Sequence, residues 1–437
     1  MKQVSRHYLI IAFVFTIWIT GCAQIPWERI LPPEVTPTPS PQLTVTVNAA
    51  ALPNDQTSVP SPQPLLLRVW LPPEFDAKVD SEAARLFKAR IEAFQTRRGV
   101  RVELRVKSLD GDGGMVNSLS TANAVAPLAL PDVVALPRSV LEVAVLKGLL
   151  YPVDGFTHLL NDPDWFPYAR QLANINDSTY GIPFAGDAMV LVYKQQTFVK
   201  PPRTWDAFLS SKTPLLFPAA QPESFFTISE YITSGGILVD EEGKPTLDST
   251  VLTNVFGFYE QARRTEQMPY WLTQFETNQQ AWQAFLEGRS AMVITWLTRY
   301  YAEKPKDTKV DLIPTAGGED FSLVNGWCWA LTNPDADRRI LAAELAEYLV
   351  STDFIADWSE AAGFLPPTNS ALLQWENQND RAVAERVINS AYLIPSNEII
   401  QISGTTLKDG TVAILKNQVN AQTAVQSVIE KLKTPTQ

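Results

Sequence analysis

Histidine, cysteine and positive charge are all scarce in this chain of 437 residues. Its two histidines (His7, His158) and two cysteines (Cys22, Cys328) are too few and too scattered for a metal cluster. Because His7 lies in a segment typical of targeting sequences, histidine catalysis is nearly excluded as well. The 36 Lys and Arg against 47 Asp and Glu give a net charge of −11, whereas nucleic-acid binding requires a basic face. We therefore predict no metal, no cofactor and no nucleic-acid partner.

The first 22 residues have the pattern of an export signal. Basic residues precede an apolar run at 8–19, which is too short to span a bilayer but suits the core of a signal peptide. Residues 19–22 (ITGC) then resemble the lipobox of bacterial lipoproteins. That resemblance implies removal of residues 1–21 and attachment of lipid to the sulfur of Cys22. The alternatives are an ordinary secretion signal with an incidental cysteine and a short membrane anchor.

A proline-rich segment follows. Ten prolines and only four charged residues lie between residues 23 and 64, and residues 36–41 read TPTPSP. Proline lacks an N–H group and has a fixed φ, so this segment can neither pair in a sheet nor continue a helix. We predict that residues 22–64 are the lipidated cysteine and an extended, solvated tether. A proline-rich ligand for a peptide-binding domain is the alternative.

Strand and helix patterns alternate from residue 65 onward. An apolar run at 65–70 predicts a strand, Ser81 can cap a helix with apolar residues at helical spacing, and 101–106 alternates as a strand. Further strands are predicted at 131–136, 290–295 and 326–331, and further helices at 140–149, 282–288, 340–350 and 411–432. This order predicts an α/β fold with doubly wound, largely parallel sheets. Ligands in such folds bind beyond the carboxyl ends of the strands.

A series of motifs resembles the extracellular solute-binding proteins of ABC importers, in the family 1 branch related to maltose-binding protein. The motifs are PDVV (131–134) with GLLYPVD (148–154), TYGIP (179–183) with VLVYK (190–194), PRTWDAF (202–208), FLEGRSAMVI (285–294) and GFLPP (363–367). The resemblance covers about residues 65–433. It implies a two-lobed periplasmic-binding-protein-like fold, with a hinge and a ligand cleft between the lobes.

The resemblance also implies how the chain divides and what it binds. Lobe 1 would comprise residues 65–185 and 310–355, and lobe 2 residues 186–309 and 356–437. The implied partners are a small-molecule solute and the permease subunits of an ABC importer. We expect a monomer in the cell envelope, outside the cytoplasm and held to the membrane by its lipid.

Aromatic residues at strand ends are the first candidates for ligand contact. Carbohydrates offer flat C–H faces that stack on aromatic rings, and hydroxyl groups that need fixed hydrogen-bond partners. The chain has 12 Trp, of which Trp70, Trp296 and Trp327 lie at ends of predicted strands. Core packing is the alternative for each. Side-chain alternation puts Trp327 and Trp329 on one face of their strand and Cys328 on the other, and we expect Trp329 in the core.

Two acidic residues and one aromatic residue are the next candidates. Asp187 lies between two apolar segments, where an unpaired charge is costly, and stands six residues before Tyr193. The family resemblance implies that an acidic residue at this spacing contacts sugar. It likewise implies an acidic ligand contact at Glu223 and an aromatic platform at Phe225. A solvated loop carboxylate is the alternative for Glu223.

Two further polar residues complete the predicted ligand site. The resemblance implies a ligand contact for Arg138, which follows a predicted strand, and for Asn325, in a polar turn beside the cleft. A surface salt bridge is the alternative for Arg138. Residues 110–114 (DGDGG) hint at calcium, but no acidic residue occupies the position that would close an EF-hand loop, so we predict a flexible turn.

A catalytic function has little support. A glycosidase needs two placed carboxylates, for which Asp187 and Glu223 are candidates. The chain, however, has no hydrolase signature and no P-loop, and Cys328 has no nearby histidine. We predict a non-enzymatic substrate-binding lipoprotein that delivers a carbohydrate or oligosaccharide to a permease. The alternatives are a binding protein for a cationic solute such as a polyamine and a ligand sensor without a transporter.

Overall fold

The computed structural model describes residues 64–433. The strands are β1 (Leu66–Leu71), β2 (Arg101–Val106), β3 (Val133–Pro137), β4 (Asn174–Ile175), β5 (Ser178–Thr179), β6 (Ile182–Lys194), β7 (Leu215–Leu216), β8 (Met292–Trp296), β9 (Thr308–Asp311), β10 (Ser322–Leu331) and β11 (Ala391–Leu393). The helices are α1 (Glu82–Arg98), α2 (Met115–Val125), α3 (Arg138–Leu146), α4 (Pro167–Ala173), α5 (Trp205–Ser211), α6 (Phe225–Thr233), α7 (Ser249–Arg264), α8 (Asn278–Leu286), α9 (Leu297–Glu303), α10 (Ala336–Tyr348), α11 (Thr352–Ala362), α12 (Asn369–Leu373), α13 (Gln378–Asn389), α14 (Asn397–Ile399), α15 (Thr405–Leu415) and α16 (Ala421–Lys433). The predictions for residues 1–63, including lipidation of Cys22, lie outside the described residues.

The main sheet has the strand order β2-β1-β3-β10-β6-β8-β7, with β11 beside β10 and β9 beside β6. Strand β1 runs parallel to β2 and β3, as the alternating strand and helix pattern predicts. Strand β10 runs antiparallel to β3 and β6. Since helices alternate with these strands, the fold is α/β, in agreement with the prediction.

Two long strands connect the parts of the sheet. Up to Ala188, strand β6 pairs with β10, and from Met189 onward it pairs with β8 and β9. Strand β10 changes partners in the same way, from β11 at residues 322–324 to β3 at residues 327–331. The sheet therefore has two sections that are joined through β6 and β10.

Local sequence signals explain why the elements begin and end where they do. Ser81 accepts a hydrogen bond from Ala84 N at 3.1 Å and caps α1, as predicted, and Gly99 ends that helix with φ of 63°. Thr277 and Gln280 form a capping box that starts α8 four residues before the predicted helix. Such N-terminal signals lie outside the apolar periodicity, so the periodicity alone misses the first turn.

One predicted helix is wrong. The sequence predicts a single helix over 411–432, but α15 ends at Leu415 and α16 begins at Ala421. Asn417 adopts a left-handed backbone with φ of 56°, and Gln418 N donates to Ala413 O at 2.9 Å, which closes α15. Asparagine tolerates this conformation better than most residues, so the break has a local cause that apolar spacing does not show.

The core is continuous and rich in aromatic residues. Trp329 is 2% exposed, as expected, and stacks on Phe184 with ring centroids 4.2 Å apart. The carboxylate of Asp132 is fully buried and accepts two hydrogen bonds from Arg338, at 2.8 and 2.7 Å. A buried charge is tolerated only when it is paired in this way. Between residues 64 and 433, the helices are all too short or too polar to cross a membrane.

Candidate functional site

A gap in strand pairing along β10 positions the candidate site. On the side away from β6, strand β11 covers residues 322–324 and β3 covers 327–331, so Asn325 and Gly326 have no strand beside them there. Both flanking strands run toward this gap, because β11 is parallel to β10 and β3 is antiparallel. The carboxyl ends of two strands therefore meet at one place, which is where α/β sheets bind ligands.

A cavity of about 310 Å³ opens at this gap. We call it the strand-gap cavity. Its walls come from the start of α3, the turn before α6, the middle of β10 and the segment between β11 and α15; the lining residues are Arg138, Ser139, Glu142, Pro222, Glu223, Phe225, Asn325, Ile394, Pro395, Asn397, Ile400, Gln401 and Thr405. Its volume lies at the lower end of the range for ligand sites.

Arg138 is the fixed positive charge of the strand-gap cavity. Its Nε donates to Glu142 Oε1 at 2.7 Å, one helical turn further along α3. Its Nη1 donates to the carbonyls of Gln171 and Leu172 at the end of α4, at 2.9 and 2.8 Å, where a helix attracts cations. Nη2 makes no hydrogen bond with residues 64–433, so the guanidinium is held rigidly with one edge available to a ligand.

Glu142 connects α3 to the far wall of the cavity. Its second oxygen, Oε2, accepts a hydrogen bond from Asn397 N at 2.8 Å, and the Asn397 side-chain amide donates to Ser139 O. Both Glu142 oxygens are thus occupied, one by Arg138 and one by the segment after β11. This carboxylate organises the cavity rather than offering itself to a ligand.

The turn before α6 supplies the opposite charge and an aromatic ring. Within residues 64–433 the Glu223 carboxylate forms neither a hydrogen bond nor an ion pair. The turn packs tightly, since a Cβ at Gly404 would lie 2.8 Å from the carbonyl oxygens of Pro222 and Glu223. Gly404 ends a π-helical turn, Ile400–Gly404, of a kind that is frequent at functional sites. The Phe225 ring contacts Trp296 edge-to-face, with centroids 5.8 Å apart.

Asn325 and Asp187 lie opposite each other on neighbouring strands. Asn325 Oδ1 accepts from Gly326 N at 2.8 Å, and its amide nitrogen has no partner within the described chain. Asp187 is half-buried and accepts hydrogen bonds from Ala188 N at 2.8 Å and from both N and Oγ1 of Thr298. Burial raises the pKa of Asp187 to about 6, and the bonds from Thr298 oppose this rise. Asp187 therefore holds the start of α9 in place.

The structure brings some of the predicted contacts together and leaves others apart. Arg138, Glu223, Phe225 and Asn325 line the strand-gap cavity, and Trp296 packs against Phe225 beside it. Trp70 and Trp327 are not among the lining residues. Trp70 is 4% exposed within β1, with Lys107 Nζ 4.5 Å from its ring centroid, and Trp327 packs edge-to-face on Phe75 at 4.9 Å.

Sequence reasoning missed the wall that follows β11. Asn397, Gln401 and Thr405 all line the cavity, and they recur at a spacing of four residues. That spacing places polar side chains on one face of a helical segment and was a usable signal. Ser139 and Glu142, on the first turns of α3, carried no comparable signal. Within residues 64–433, no group of three or more His, Cys, Asp or Glu side chains could hold a metal ion.

Comparison with known proteins agrees with this architecture. The sequence model of the family described as bacterial extracellular solute-binding protein matches residues 89–385, more than half of the chain. Members of that family bind solutes outside the cytoplasm and are not enzymes, as the sequence predicts.

Similar solved structures bind sugars. The cyclic α-maltosyl-1,6-maltose binding protein of Arthrobacter globiformis has a TM-score of 0.70 at 16% identity, covering 85% of this chain and 99% of its own. The maltotriose binding protein of Thermus thermophilus has a TM-score of 0.62 at 18% identity, covering 84% of this chain and 99% of its own. A solute-binding protein from Thermotoga lettingae, bound to α-D-tagatose, has a TM-score of 0.64 at 18% identity, covering 84% and 98%. This chain therefore belongs to the bacterial extracellular solute-binding proteins and has the two-lobed fold of the maltose-binding type.

Proposed function

We propose that the chain is the lipid-anchored substrate-binding protein of an ABC importer and that it binds a carbohydrate or oligosaccharide in the strand-gap cavity. The observation that carries the proposal is the set of unused polar groups around this cavity. Arg138 Nη2, the Asn325 amide and the Glu223 carboxylate lack partners among residues 64–433, yet all three belong to residues that line one concave site.

These groups match the chemistry of a sugar. Hydroxyl groups both donate and accept, so they can use the donors of Arg138 and Asn325 together with the acceptors of Glu223. The ring of Phe225 offers an apolar surface for a C–H face, and Trp296 supports that ring from the side. The volume of about 310 Å³ suits one sugar unit, with longer ligands extending into solvent. The fixed charge of Arg138 disfavours a polyamine at the same place.

The proposed lobes place the cavity between them. We assign residues 65–185 and 310–355 to lobe 1, and residues 186–309 and 356–437 to lobe 2. The change of partners along β6 between Ala188 and Met189 supports this division. On this assignment Arg138 and Asn325 belong to lobe 1, and Glu223, Phe225 and the segment after β11 belong to lobe 2. A ligand that contacts both lobes would favour their closure by hinge motion.

The remaining predicted contacts keep distinct roles in this proposal. Asp187 accepts three hydrogen bonds, and a carboxylate has about four acceptor positions, so it retains capacity for a ligand hydroxyl. Trp296 forms the rim beside Phe225. Trp70 and Trp327 would reach a ligand only if it extended beyond the strand-gap cavity. Cys22 anchors the tether of residues 22–64, and a permease receives the solute from the monomeric protein.

A ligand screen tests the proposed solute class. Sugars such as maltotriose, glucose and tagatose should raise the melting temperature, because a ligand that binds only the folded state stabilises it by about 2.7 kcal/mol at one hundred times its Kd. Amino acids and spermidine serve as comparison compounds. Calorimetry on Arg138→Ala should then show weaker binding of the sugar that scored. A shift caused by spermidine alone would reject the carbohydrate proposal.

A further inference from the structure

A second cavity lies apart from the strand-gap cavity and has a different character. It has a volume of about 250 Å³ and shares no lining residue with the first. Its walls come from the turn after β1, the start of α1, strands β6 and β10, and helix α11. Most of the wall is aromatic: Phe75, Phe87, Phe184, Trp329, Trp358 and Phe364. We call it the aromatic cavity.

The aromatic rings support one another and leave room between them. Phe75 is in contact with Phe184, Phe364 and Trp358, with ring centroids 5.1, 5.5 and 5.9 Å away. Trp358 also stacks on Phe364 with an interplanar angle of 3°. Small residues, Ala84, Ala361 and Ala362 among them, complete the wall. An apolar cavity of about 150 Å³ can take a benzene ring, so this one can hold a substituted ring.

One polar atom in this wall lacks a partner. The Nε1 of Trp329 is buried and makes no hydrogen bond within residues 64–433. Phe184 stacks on its ring at 4.2 Å and Phe87 lies parallel to it at 6.1 Å, so the ring faces are used and the edge is left. A buried N–H without an acceptor is costly, and indole N–H groups normally find one. The atom therefore calls for an acceptor supplied from the cavity.

The rim of the aromatic cavity is negative. Glu74 and Asp76 line it, and its lining includes no lysine, arginine or histidine. The Glu74 carboxylate has no ion pair or hydrogen bond within the part of the chain that the structure describes. A cation at the rim would gain from these carboxylates and from the aromatic faces behind them.

We propose that the aromatic cavity is a second binding site, for a small aromatic amine whose ring carries a hydroxyl group. The ring fills the space between Phe75, Trp358 and Phe364. The hydroxyl oxygen accepts the hydrogen bond of Trp329 Nε1, and the ammonium group lies at Glu74 and Asp76. The site is independent of the proposed carbohydrate site, because the two cavities have no residue in common.

Three probes separate the parts of this proposal in calorimetric titrations of the full chain. Tyramine has the ring, the hydroxyl and the ammonium; phenethylamine lacks the hydroxyl; 4-hydroxyphenylacetate replaces the ammonium with a carboxylate. Tyramine should bind about five- to tenfold more tightly than phenethylamine, the usual effect of one buried hydrogen bond. The acid should not bind. Absence of tyramine binding at millimolar concentration overturns the proposal.

Variants identify the site. Trp329→Phe keeps a ring and removes the donor, so it should abolish the preference for tyramine over phenethylamine, whereas a merely structural defect would weaken both alike. Glu74→Gln should weaken both amines severalfold and leave their ratio unchanged. A tyramine preference that persists in Trp329→Phe contradicts the assignment.

A third variant avoids the risk that a core substitution fails to fold. Ala361 is exposed on α11 and lines the cavity, so Ala361→Phe should obstruct it and abolish binding of both amines. Ala336→Phe, at an exposed alanine of α10 outside both cavities, is the matched control. Unchanged amine affinity in Ala361→Phe, or loss of amine binding in Arg138→Ala, overturns the proposal, the latter because it would place the amine in the strand-gap cavity.

Discussion

Asn397 N donates a hydrogen bond to Glu142 Oε2 at 2.8 Å, although the two residues lie 255 positions apart in the chain. Glu142 simultaneously accepts from Arg138 Nε at 2.7 Å. One buried carboxylate thus fixes the ligand-facing guanidinium and the opposite wall of the strand-gap cavity. On the proposed lobe assignment, this is a direct link between the two lobes.

Removing that link should weaken ligand capture. Glu142→Ala frees Asn397 and leaves Arg138 without its ion pair, so we expect sugar affinity to fall about tenfold or more, the size of effect for hydrogen bonds to charged groups. Titration calorimetry measures this loss. Glu82→Ala, which removes the exposed partner of Arg85 on α1, is the control and should leave affinity unchanged. Equal affinity in both variants would contradict the role given to Glu142.

The aromatic side of the cavity gives a second prediction. Phe225→Ala removes the ring that lines the cavity, and Trp296→Ala removes its edge-to-face support. Sugar binding should weaken roughly tenfold in the first variant and less in the second, with cooperative unfolding retained in both. Tyr270→Ala, at a ring that is 64% exposed, provides the comparison. A larger effect at Trp296 than at Phe225 would mean that the ligand stacks on the indole instead.

Glu230 makes stability depend on pH. It is fully buried, one oxygen accepts from Trp205 Nε1, and the other has no partner among the described residues. Burial raises the pKa of Glu230 from 4.5 to about 8, and the hydrogen bond from Trp205 opposes this. The folded state therefore holds the proton more tightly than the unfolded chain, and raising the pH through this interval favours unfolding.

The expected loss is measurable. Between pH 6 and pH 8 the free energy of unfolding should fall by about 2 kcal/mol from this group alone, since one pKa unit corresponds to about 1.4 kcal/mol. Urea unfolding at both values gives the number. Glu230→Gln keeps an acceptor for Trp205 but cannot ionise, so it should remove most of the difference. An identical pH dependence in that variant would show that other groups cause it.

The buried ion pair between Asp132 and Arg338 should matter for stability and not for binding. Asp132 also accepts from Arg68 N at 2.8 Å and from the Asn333 side chain at 2.8 Å. Arg338→Ala leaves this carboxylate buried without its cation, so the free energy of unfolding should fall by about 3 kcal/mol. Sugar affinity of the folded fraction should not change. Arg85→Ala, in an exposed pair, should alter stability little.

Membrane attachment is tested at the start of the chain. If Cys22 carries lipid, Cys22→Ser should move the protein from the membrane fraction to the soluble fraction of the cell envelope. Phospholipase treatment or a detergent partition assay gives an independent readout. Membrane fractionation that is unchanged in Cys22→Ser would reject the lipoprotein proposal while leaving the ligand site untouched.

Much of the fold follows from local sequence, and much of the site does not. Apolar alternation and the Ser81 cap predict β1, α1 and β2, because these signals act over a few residues. Arg138 and Asn325 were found because residues after strand ends face ligands in α/β folds. The partnership of Asp187 with Thr298 spans 111 residues and depends on how β6 meets α9, which no local pattern specifies.

The strand-gap itself shows the same limit. It exists because β3 and β11, which are more than 250 residues apart, both approach β10 and stop short of Asn325. Strand lengths can be read locally, but the register between distant strands is set by the packing of the whole sheet. The wall at Asn397, Gln401 and Thr405 was accessible from spacing alone, whereas the role of Glu142 required the assembled sheet.

Cys328 gives the protein a practical property. It is the one cysteine among residues 64–433; its thiol is fully buried, and burial raises its pKa to about 12. A protonated, inaccessible thiol does not react with maleimides at neutral pH. In a Cys22→Ser background, cysteines introduced at Val125 and Val199, which are 78% and 95% exposed, would therefore accept a fluorophore pair without competition. Energy transfer between those dyes would turn lobe closure into an optical signal for the captured solute.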